Sequence, residues 1–514
     1  MQLNYDMKKE INIDDIYVVN PKYRLRSDLK RVKIGNNKSL YYHDNDRYDD
    51  DVTDSFSWTI PPYLAYFFSE FTGKYTLREI CKNLSDELEL SEQEVLESFL
   101  PLIYNSEKVI VPVLNISMAF PFPKNFLVKK EMDIHSNVLS KEAIAEILAQ
   151  DLDLTGLRSY IPESFAFMLN NKCVVDCEYC YADKSVKVPN PLPFSRVKEI
   201  IAEAASLGMT DIDMNGGEFF LYPHWKELID ELLKYDYAPY VSTKHPITED
   251  IVNVLVQKNI RDIQLSIDSV NSEELKKMLH VNDDYLTKVK KGVELLNEAK
   301  IEITIKPVIT KYNDSVDSVK NLLDYFNQFE MLKRIRFASG GYSNHKPFTF
   351  SSTRKKIGEI NNFIEKNREK YHFEIVMQGG GIIEETIKKE QKNFSNRALC
   401  TGNVSGFFLL PDGKVTICEQ VYWHPSLIIG DLNTQSIMEM WNGEKALALW
   451  NFSKAEVREE SPCKQCDEFE TCRRGLGNCW REAITAYGNE NYDYPAPNCP
   501  KSLPVTRPYY MPEE

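Results

Sequence analysis

The chain has 514 residues and a net charge of −15, from 62 basic and 77 acidic side chains. At about 100–200 residues per domain, this length predicts about three globular domains. The acidic balance disfavours a nucleic-acid partner held by bulk electrostatics. The first residues contain no apolar segment typical of a signal peptide, and no apolar run approaches the roughly 20 residues of a membrane helix. We therefore expect a cytoplasmic protein with no membrane partner.

Residues 1–120 are predicted to form a small N-terminal domain with a winged-helix-like order of elements. Two extended segments, IYVVNPKYRLR and RVKIG, precede a helix in PPYLAYFFSEF, which we expect Gly73 to end. Two amphipathic helices follow, with Thr76 and Ser91 as N-caps, and KVIVPVL closes the domain as a strand. Cys81 lies at an apolar position of the first amphipathic helix, where a core role is expected.

Two interpretations of this N-terminal domain stay open at this point. It is either a folding or packing domain, or a peptide-docking module that adds a peptide strand to an exposed sheet edge. Residues 121–163 are mixed and polar, with one helix expected at SKEAIAEILAQ, and we interpret them as a bridging segment.

Residues 164–345 alternate six apolar strands with helices, which predicts an α/β domain with a parallel sheet covered by helices. In such sheets the functional loops follow the carboxyl ends of the strands. Residues 346–398 are predicted to be a charged, mostly helical connector, interrupted by a flexible glycine turn at Gly379, Gly380 and Gly381.

The loop after the first of these strands carries three cysteines, Cys173, Cys177 and Cys180, spaced as C-x3-C-x2-C. Three thiolates can hold three irons of a [4Fe–4S] cluster and leave the fourth iron without a protein ligand. A structural zinc site would need four ligands and usually two C-x2-C pairs. Three thiols this close cannot pair evenly as disulfides. The spacing therefore favours an iron–sulfur cluster at which chemistry can occur.

Glycines and polar residues follow the next three predicted strands. Glycines permit close backbone approach to a ligand, and a carboxylate behind them can accept a hydrogen bond from an ammonium group. Hydroxyls and a carboxylate could contact a ribose, although turn and helix-cap roles are an equal alternative. The residues are Gly216, Gly217 and Glu218 after the second strand, Ser242 and Thr243 after the third, and Ser266 and Asp268 after the fourth.

Residues 399–514 contain seven further cysteines. Pro411–Lys414 (PDGK) predicts a hairpin turn that brings Cys418 back towards Cys400. A C-x2-C-x5-C-x6-C run follows, and a last cysteine lies in NCP; these are Cys463, Cys466, Cys472, Cys479 and Cys499. A zinc ribbon built on C-x2-C is the rival interpretation, but it would leave three cysteines unexplained.

The motifs of residues 164–345 together resemble those of radical S-adenosylmethionine (SAM) enzymes. The resemblance rests on the three cysteines of the first loop with Tyr179, on GGE at 216–218 and on SID at 266–268. It implies a partial (β/α)6 barrel in which the open iron binds SAM. It further implies that Glu218 and the glycine backbone hold the methionine end and that Tyr179 lies by the adenine. Ser242, Ser266 and Asp268 would contact the ribose, although this chain has SIDS where relatives often have SIDG, and STKH where an Asn is common.

The C-terminal cysteines resemble the SPASM extension, whose motif combines C-x(9–15)-G-x4-C with C-x2-C-x5-C-x3-C and a final Cys. This resemblance implies two auxiliary [4Fe–4S] clusters, and thus three clusters in the chain. One would have four ligands, Cys463, Cys466, Cys472 and Cys499; the other would have Cys400, Cys418 and Cys479 and one open iron. The chain departs from the motif before Cys479, where six residues replace three.

The N-terminal domain resembles PqqD-like elements that capture leader peptides, both in the segment NPKYRLRSD and in the order of its secondary-structure elements. The combination implies a maturase of ribosomally synthesised peptides, which receives electrons from a flavodoxin or ferredoxin. A Cys-derived thioether is the first expectation for the product, and a carbon–carbon or carbon–oxygen crosslink is the next. A formylglycine-generating sulfatase maturase is another alternative, disfavoured by the N-terminal domain. A non-catalytic metal-binding regulator is the last, disfavoured by the intact GGE.

Overall fold

The structure is a computed structural model that describes residues 11–36, 57–105, 109–112, 119–131, 138–153, 156–340, 346, 348–378 and 383–513. The chain divides into two compact units, residues 1–163 with 206–211 and residues 164–205 with 212–514. The glycine turn predicted at Gly379, Gly380 and Gly381 lies outside the described residues.

The N-terminal unit contains three small sheets and four α-helices in its described part. The sheet orders are β5-β1-β8, β2-β3-β4 and β6-β7. Its elements in chain order are β1 (Ile16–Val19), β2 (Tyr23–Ser27), β3 (Val32–Asn36), β4 (Ser57–Ile60), α1 (Pro62–Phe68), β5 (Thr72–Thr76), α2 (Leu77–Leu88), α3 (Glu92–Phe99), β6 (Val109–Pro112), β7 (Ala119–Phe122), β8 (Leu127–Lys129) and α4 (Lys141–Leu148).

The predicted helix caps are present, but the expected end of α1 is wrong. Thr76 and Ser91 each form a capping box with the glutamate three residues on, which satisfies backbone donors at the starts of α2 and α3. Helix α1 ends at Phe68, before Gly73. Gly73 lies inside β5 with a φ of +81°. Cys81 is buried in the core of this unit, as predicted.

The N-terminal unit extends beyond the expected boundary at residue 120. Strand β8 pairs with β1, and the apolar face of α4 packs into the same core. Arg31 is fully buried, donates a hydrogen bond to Asp28 (2.7 Å) and also donates to the carbonyls of Gly156 and Arg158. Asp28 in turn accepts from the backbone N–H of Ile161 (2.7 Å). Residues 121–163, expected as a bridging segment, are therefore part of this unit.

The second unit begins with the predicted alternation of strands and helices. The elements up to residue 392 are β9 (Ser164–Met168), α5 (Phe194–Ser206), β10 (Asp211–Asn215), α6 (Trp225–Lys234), β11 (Ser242–Thr243), α7 (Glu249–Gln257), β12 (Asp262–Leu265), α8 (Ser272–Leu279), α9 (Tyr285–Glu298), β13 (Glu302–Ile305), β14 (Val308–Ile309), α10 (Val316–Phe326), β15 (Leu332–Ser339), α11 (Arg354–Asn367), β16 (Glu374–Gln378) and α12 (Glu384–Lys392).

A parallel sheet runs in the order β11-β12-β13-β15, and β14 and β16 also pair with β15. The α/β expectation is confirmed, with three differences. Helix α8 was not predicted, and the single strand expected over residues 301–310 is divided into β13 and β14. Strand β16 lies inside the segment expected to be a helical connector. It was missed because EIVMQ is short and flanked by charged helices.

The C-terminal block adds strands to the first part of the same unit. Strand β17 (Gly406–Leu409) runs parallel to β9, and β18 (Lys414–Thr416) and β19 (Ile428–Asp431) extend the sheet. The predicted hairpin turn is present between β17 and β18, with a φ of +86° at Gly413. The remaining helices are α13 (Ile437–Trp441), α14 (Glu444–Trp450), α15 (Phe469–Arg474) and α16 (Trp480–Tyr487).

Candidate functional site

The cysteine loop after β9 is held by α8, the helix that sequence reasoning missed. The backbone N–H groups of Asp176 and Glu178 donate to the last carbonyls of α8, at 3.0 and 2.9 Å. Cys177 packs in one apolar cluster with residues of α8. Burial raises the pKa of Cys173, and raises that of Cys177 to about 12. Such thiols are protonated at neutral pH unless a metal takes the proton's place, which fits a loop that ligates iron.

The two glycines after β10 are required by the close approach of the protein's own backbone. Gly217 N–H donates to the carbonyl of Asn170 (2.6 Å), and Glu218 N–H donates to that of Lys172 (2.7 Å). A Cβ on Gly217 would lie 2.0 Å from the Lys172 oxygen, and Gly216 has a φ of +111°. The GGE loop is therefore fixed directly against the start of the cysteine loop.

Glu218 joins this loop to the end of β11. Its carboxylate is buried, accepts from the Thr243 hydroxyl (2.5 Å) and also accepts from the backbone N–H of Lys244 (3.0 Å). A third donor is the backbone N–H of Phe220 at 3.3 Å. Three donors hold this carboxylate as an acceptor, which is the state needed to bind an ammonium group. That role of Glu218 stays a prediction.

A buried network of Asp268, Lys244 and Tyr179 lies beside Glu218. One Asp268 oxygen accepts from the Tyr179 hydroxyl (2.5 Å) and from the Lys244 ammonium (2.7 Å), and the other accepts from the Val308 backbone N–H (2.8 Å). Lys244 also donates to the Ser266 carbonyl (2.8 Å). Burial alone would lower the pKa of Lys244, but the charge and hydrogen bond of Asp268, together with the charges of Cys177 and Cys173, raise it. The lysine stands in STKH, where the sequence departs from the common Asn.

The residues predicted to contact ribose lie together, but they already have protein partners. Ser242 and Ser266 both accept hydrogen bonds from the Gln264 amide, at 2.8 and 3.0 Å. Both Asp268 oxygens bind protein donors, as described above. The ribose contacts therefore stay predictions, and they would require exchange of these hydrogen bonds.

The C-terminal cysteines interact electrostatically in two groups, and their assignment as ligands of two clusters stays a prediction. The charge of Cys400 acts on both Cys418 and Cys479. Burial raises the pKa of Cys479 to about 12. The second group consists of Cys463, Cys466, Cys472 and Cys499. Burial raises the pKa of Cys499 to about 11, and the charges of the other three cysteines raise it as well. Within the described ranges, no three His, Cys, Asp or Glu side chains satisfy the geometry of a single bound metal ion.

Cationic side chains donate to the sulfurs of the four-cysteine group. Arg397 lies 3.2 Å from the sulfur of Cys472, Arg473 lies 3.6 Å from that of Cys463, and Lys501 lies 3.5 Å from that of Cys466. Such donors stabilise thiolates and raise the potential of a bound cluster. Motif spacing gave no signal for them.

A further polar group near Cys418 was also missed. Glu419 accepts a hydrogen bond from the side chain of Asn215 (2.9 Å). Burial raises the pKa of Glu419, and Lys306 is among the cations that oppose the rise. These residues come from three distant parts of the sequence.

Comparison with known proteins identifies the two domains that hold these sites. Residues 168–326 match the Radical SAM superfamily, and residues 400–467 match SPASM, an iron–sulfur cluster-binding domain. The chain therefore carries a radical SAM domain followed by a SPASM domain. These domains imply [4Fe–4S] clusters and SAM as cofactors.

Curated relatives include both cyclases and peptide maturation proteins. The GTP 3′,8-cyclase of Synechocystis is 24% identical over 261 residues, which are 49% of this chain and 76% of the cyclase. The sporulation killing factor maturation protein SkfB of Bacillus subtilis is 27% identical over 197 residues, 37% of this chain and 46% of SkfB. The mycofactocin maturase MftC of Mycolicibacterium smegmatis is 21% identical over 352 residues, 66% of this chain and 82% of MftC.

Solved structures of SuiB from Streptococcus suis share the fold over nearly the whole chain. SuiB bound to its precursor peptide SuiA has a TM-score of 0.63 and 14% identity, covering 93% of this chain and 98% of SuiB. SuiB bound to SAM has a TM-score of 0.60 and 13% identity, with the same coverage. In the described part of this chain, no helix is long and apolar enough to cross a membrane.

Proposed function

We propose that this protein is a radical SAM peptide maturase that installs a crosslink in a ribosomally synthesised precursor peptide. One observation carries the proposal: a single compact unit holds the three-cysteine loop and both C-terminal cysteine groups. The likeness to SuiB, which was solved with a precursor peptide, and the sequence relation to SkfB and MftC support a peptide substrate.

One group of residues would support radical formation, and a second group would support oxidation of the peptide radical. The first cluster would be held at three irons by Cys173, Cys177 and Cys180, and its fourth iron would bind SAM. Glu218 would accept a hydrogen bond from the ammonium group of SAM. When bound, this cluster and SAM supply the 5′-deoxyadenosyl radical that takes a hydrogen atom from the peptide. The chain's own residues hold the peptide and exclude water.

The auxiliary sites would accept the second electron. Cys400, Cys418 and Cys479 would provide three ligands and would leave one iron open to a substrate thiolate. A thioether would then form with loss of one hydrogen atom, one proton and one electron from the peptide. We therefore propose a Cys-derived thioether as the product, with a carbon–carbon or carbon–oxygen crosslink as the second candidate.

The N-terminal unit would bind the leader of the precursor peptide. Its sheet β2-β3-β4 precedes α1, α2 and α3, the order expected of a PqqD-like element. Among the described strands, β4 pairs with β3 alone. An extended leader could add a strand at this edge by main-chain hydrogen bonds. We further propose a cytoplasmic location, which keeps eleven cysteines reduced, and electron supply by a flavodoxin or ferredoxin.

The test uses the anaerobically reconstituted protein with SAM, a reductant and the short peptide encoded beside its gene. We expect a product that has lost two hydrogens, and no product from the Cys177→Ala variant. Alkylation before and after reaction then shows whether a Cys thiol was consumed, which separates a thioether from the other crosslinks. An aldehyde that reacts with a hydrazide would support the formylglycine alternative. One or two zinc ions in place of about twelve irons per chain would support the metal-binding regulator.

A further inference from the structure

The parallel sheet of the second unit has one polar face and one apolar face. Leu265, Ile303 and Ile335 are buried positions of the apolar face. Between them, the sheet register aligns polar side chains from neighbouring strands. Parallel sheets covered by helices on both faces are usually apolar throughout. The second face of this sheet therefore lines a polar interior; its first row is Ser242, Gln264, Thr304, Arg334 and Glu374.

The same register places a second row two residues further on, at the carboxyl ends of the strands. Ser266 N–H donates to the Thr243 carbonyl (2.8 Å), and Lys306 N–H donates to the Leu265 carbonyl (2.9 Å), so the pairing continues past the strand ends. Because Ile305 pairs with Ile335, Lys306 is the neighbour of Arg336 on the polar face. This end of a parallel sheet is where substrates bind.

The cations of the two rows differ in their partners. Lys244 pairs with Asp268, and Arg334 pairs with Glu374. Arg336, in contrast, has a buried Nε with no hydrogen-bond partner among the described residues. A buried donor without an acceptor costs free energy, which a bound ligand can recover.

Lys306 and Arg336 repel one another. Burial lowers the pKa of Lys306, Arg336 lowers it further, and the charge of Glu419 opposes the decrease. Glu419 also accepts a hydrogen bond from Asn215, and its single negative charge does not offset both cations. The two cations therefore form a locally positive site inside a protein whose net charge is −15.

We propose that Lys306 and Arg336 bind a carboxylate of the substrate peptide and thereby fix the residue that is modified. This inference rests on the proposed function and specifies the chemistry of its substrate. A guanidinium presents two parallel N–H donors that match a carboxylate, and the lysine adds a third donor from the neighbouring strand. The carboxylate comes either from an Asp or Glu side chain or from the C-terminus of the peptide.

The pair is distinct from the predicted cofactor contacts. The thiols of Cys173 and Cys177 are among the groups that act on Lys244. Lys306 interacts electrostatically with Arg336 and with Glu419, the residue that follows Cys418. Lys306 therefore lies near a predicted ligand of an auxiliary cluster.

The test measures the rate at which acetic anhydride acetylates Lys306 in the reconstituted holoenzyme, by peptide mapping. Three probes are compared: N-acetylaspartate N-methylamide for a side-chain carboxylate, N-acetylglycine for a terminal carboxylate, and N-acetylasparagine N-methylamide as the neutral match. At a probe concentration of about twice its Kd, binding should slow the acetylation of Lys306 about threefold. Lys333 is the internal control, because it lies on β15, the strand that carries Arg336, but is exposed.

We expect saturable protection of Lys306, but not of Lys333, by one or both carboxylates, and the stronger probe identifies the source. The Arg336→Gln variant, checked for unchanged iron content, should lose this protection. Equal protection by the neutral probe, or none by either carboxylate, would overturn the inference. So would protection by S-adenosylhomocysteine alone, which would assign the pair to the cofactor. Because acetylation requires no turnover, failure here leaves the proposed function standing if the precursor peptide is still modified.

Discussion

Removal of the Lys244 ammonium is expected to destabilise the second unit through the buried charge that it leaves behind. In wild type, Lys244 and Asp268 lie 2.7 Å apart, with side-chain exposures of 12% and 0%. The Lys244→Met variant leaves Asp268 with the Tyr179 hydroxyl and the Val308 N–H as its only two donors described above. Loss of one partner of a buried ion pair costs about 3–5 kcal/mol.

The assay is thermal denaturation of the anaerobic holoenzyme. For a unit of this size, we expect the Tm of Lys244→Met to fall by roughly 5–10 °C. The double variant Lys244→Met/Asp268→Asn removes both charges and should recover most of that loss. Lys234→Met is the matched control, because Lys234 is exposed and its pair with Glu231 should be worth little.

The pH dependence of this effect has a definite sign. Burial lowers the pKa of Lys244, but Asp268 and the charges of Cys177 and Cys173 together raise it above the ordinary 10.5. A group with a raised pKa stabilises the fold below its unfolded pKa and loses that contribution as the pH rises through its folded pKa. The difference in Tm should therefore be constant through neutral pH. An unchanged Tm in Lys244→Met, or a double variant no more stable than the single, would refute the reasoning.

Three further predictions concern the loops, the cluster and the N-terminal unit. Gly217→Ala should lower the bound iron, because its Cβ would meet a backbone oxygen at 2.0 Å, whereas Gly358→Ala, whose Cβ meets nothing within 4 Å, should keep the iron content of wild type. Arg473→Gln should lower the potential of the four-cysteine cluster by roughly 30–60 mV in an EPR redox titration; the exposed Arg474→Gln should not. Arg31→Met should cost about 3–5 kcal/mol of unfolding free energy, measured by urea denaturation of the N-terminal unit in the full chain, because it leaves a buried carboxylate unpaired; an unchanged urea midpoint would contradict this.

The candidate cluster ligands could be predicted from the sequence because the signal is the spacing of cysteines that are close together in the chain. Cys173, Cys177 and Cys180 lie within eight residues, and their spacing alone suggests a shared ligand. The division of the later cysteines into three and four ligands followed from the resemblance to one motif, and it stays a prediction. Most strands were found because runs such as EITI and RIRF are strongly apolar or alternate.

The polar interior could not be predicted from the sequence, because it depends on the register between strands that are far apart in the sequence. Lys306 and Arg336 are thirty residues apart, and only the pairing of β13 with β15 makes them neighbours. The segment STKH was noted because an Asn is common there, but the pairing of its lysine, Lys244, with Asp268 could be found only from the fold. The pairing of β17 with β9 spans most of the second unit and has no sequence signal, so the C-terminal block was expected as a separate domain.

The central claim is that a radical generated beside the Cys173–Cys180 loop modifies a peptide delivered to this protein. The most direct measurement is mass spectrometry of the adjacent precursor peptide after anaerobic incubation with the reconstituted protein, SAM and reductant. We expect the peptide to lose two hydrogens while 5′-deoxyadenosine forms, and we expect neither change with the Cys180→Ala variant. Formation of 5′-deoxyadenosine with a peptide of unchanged mass would contradict it.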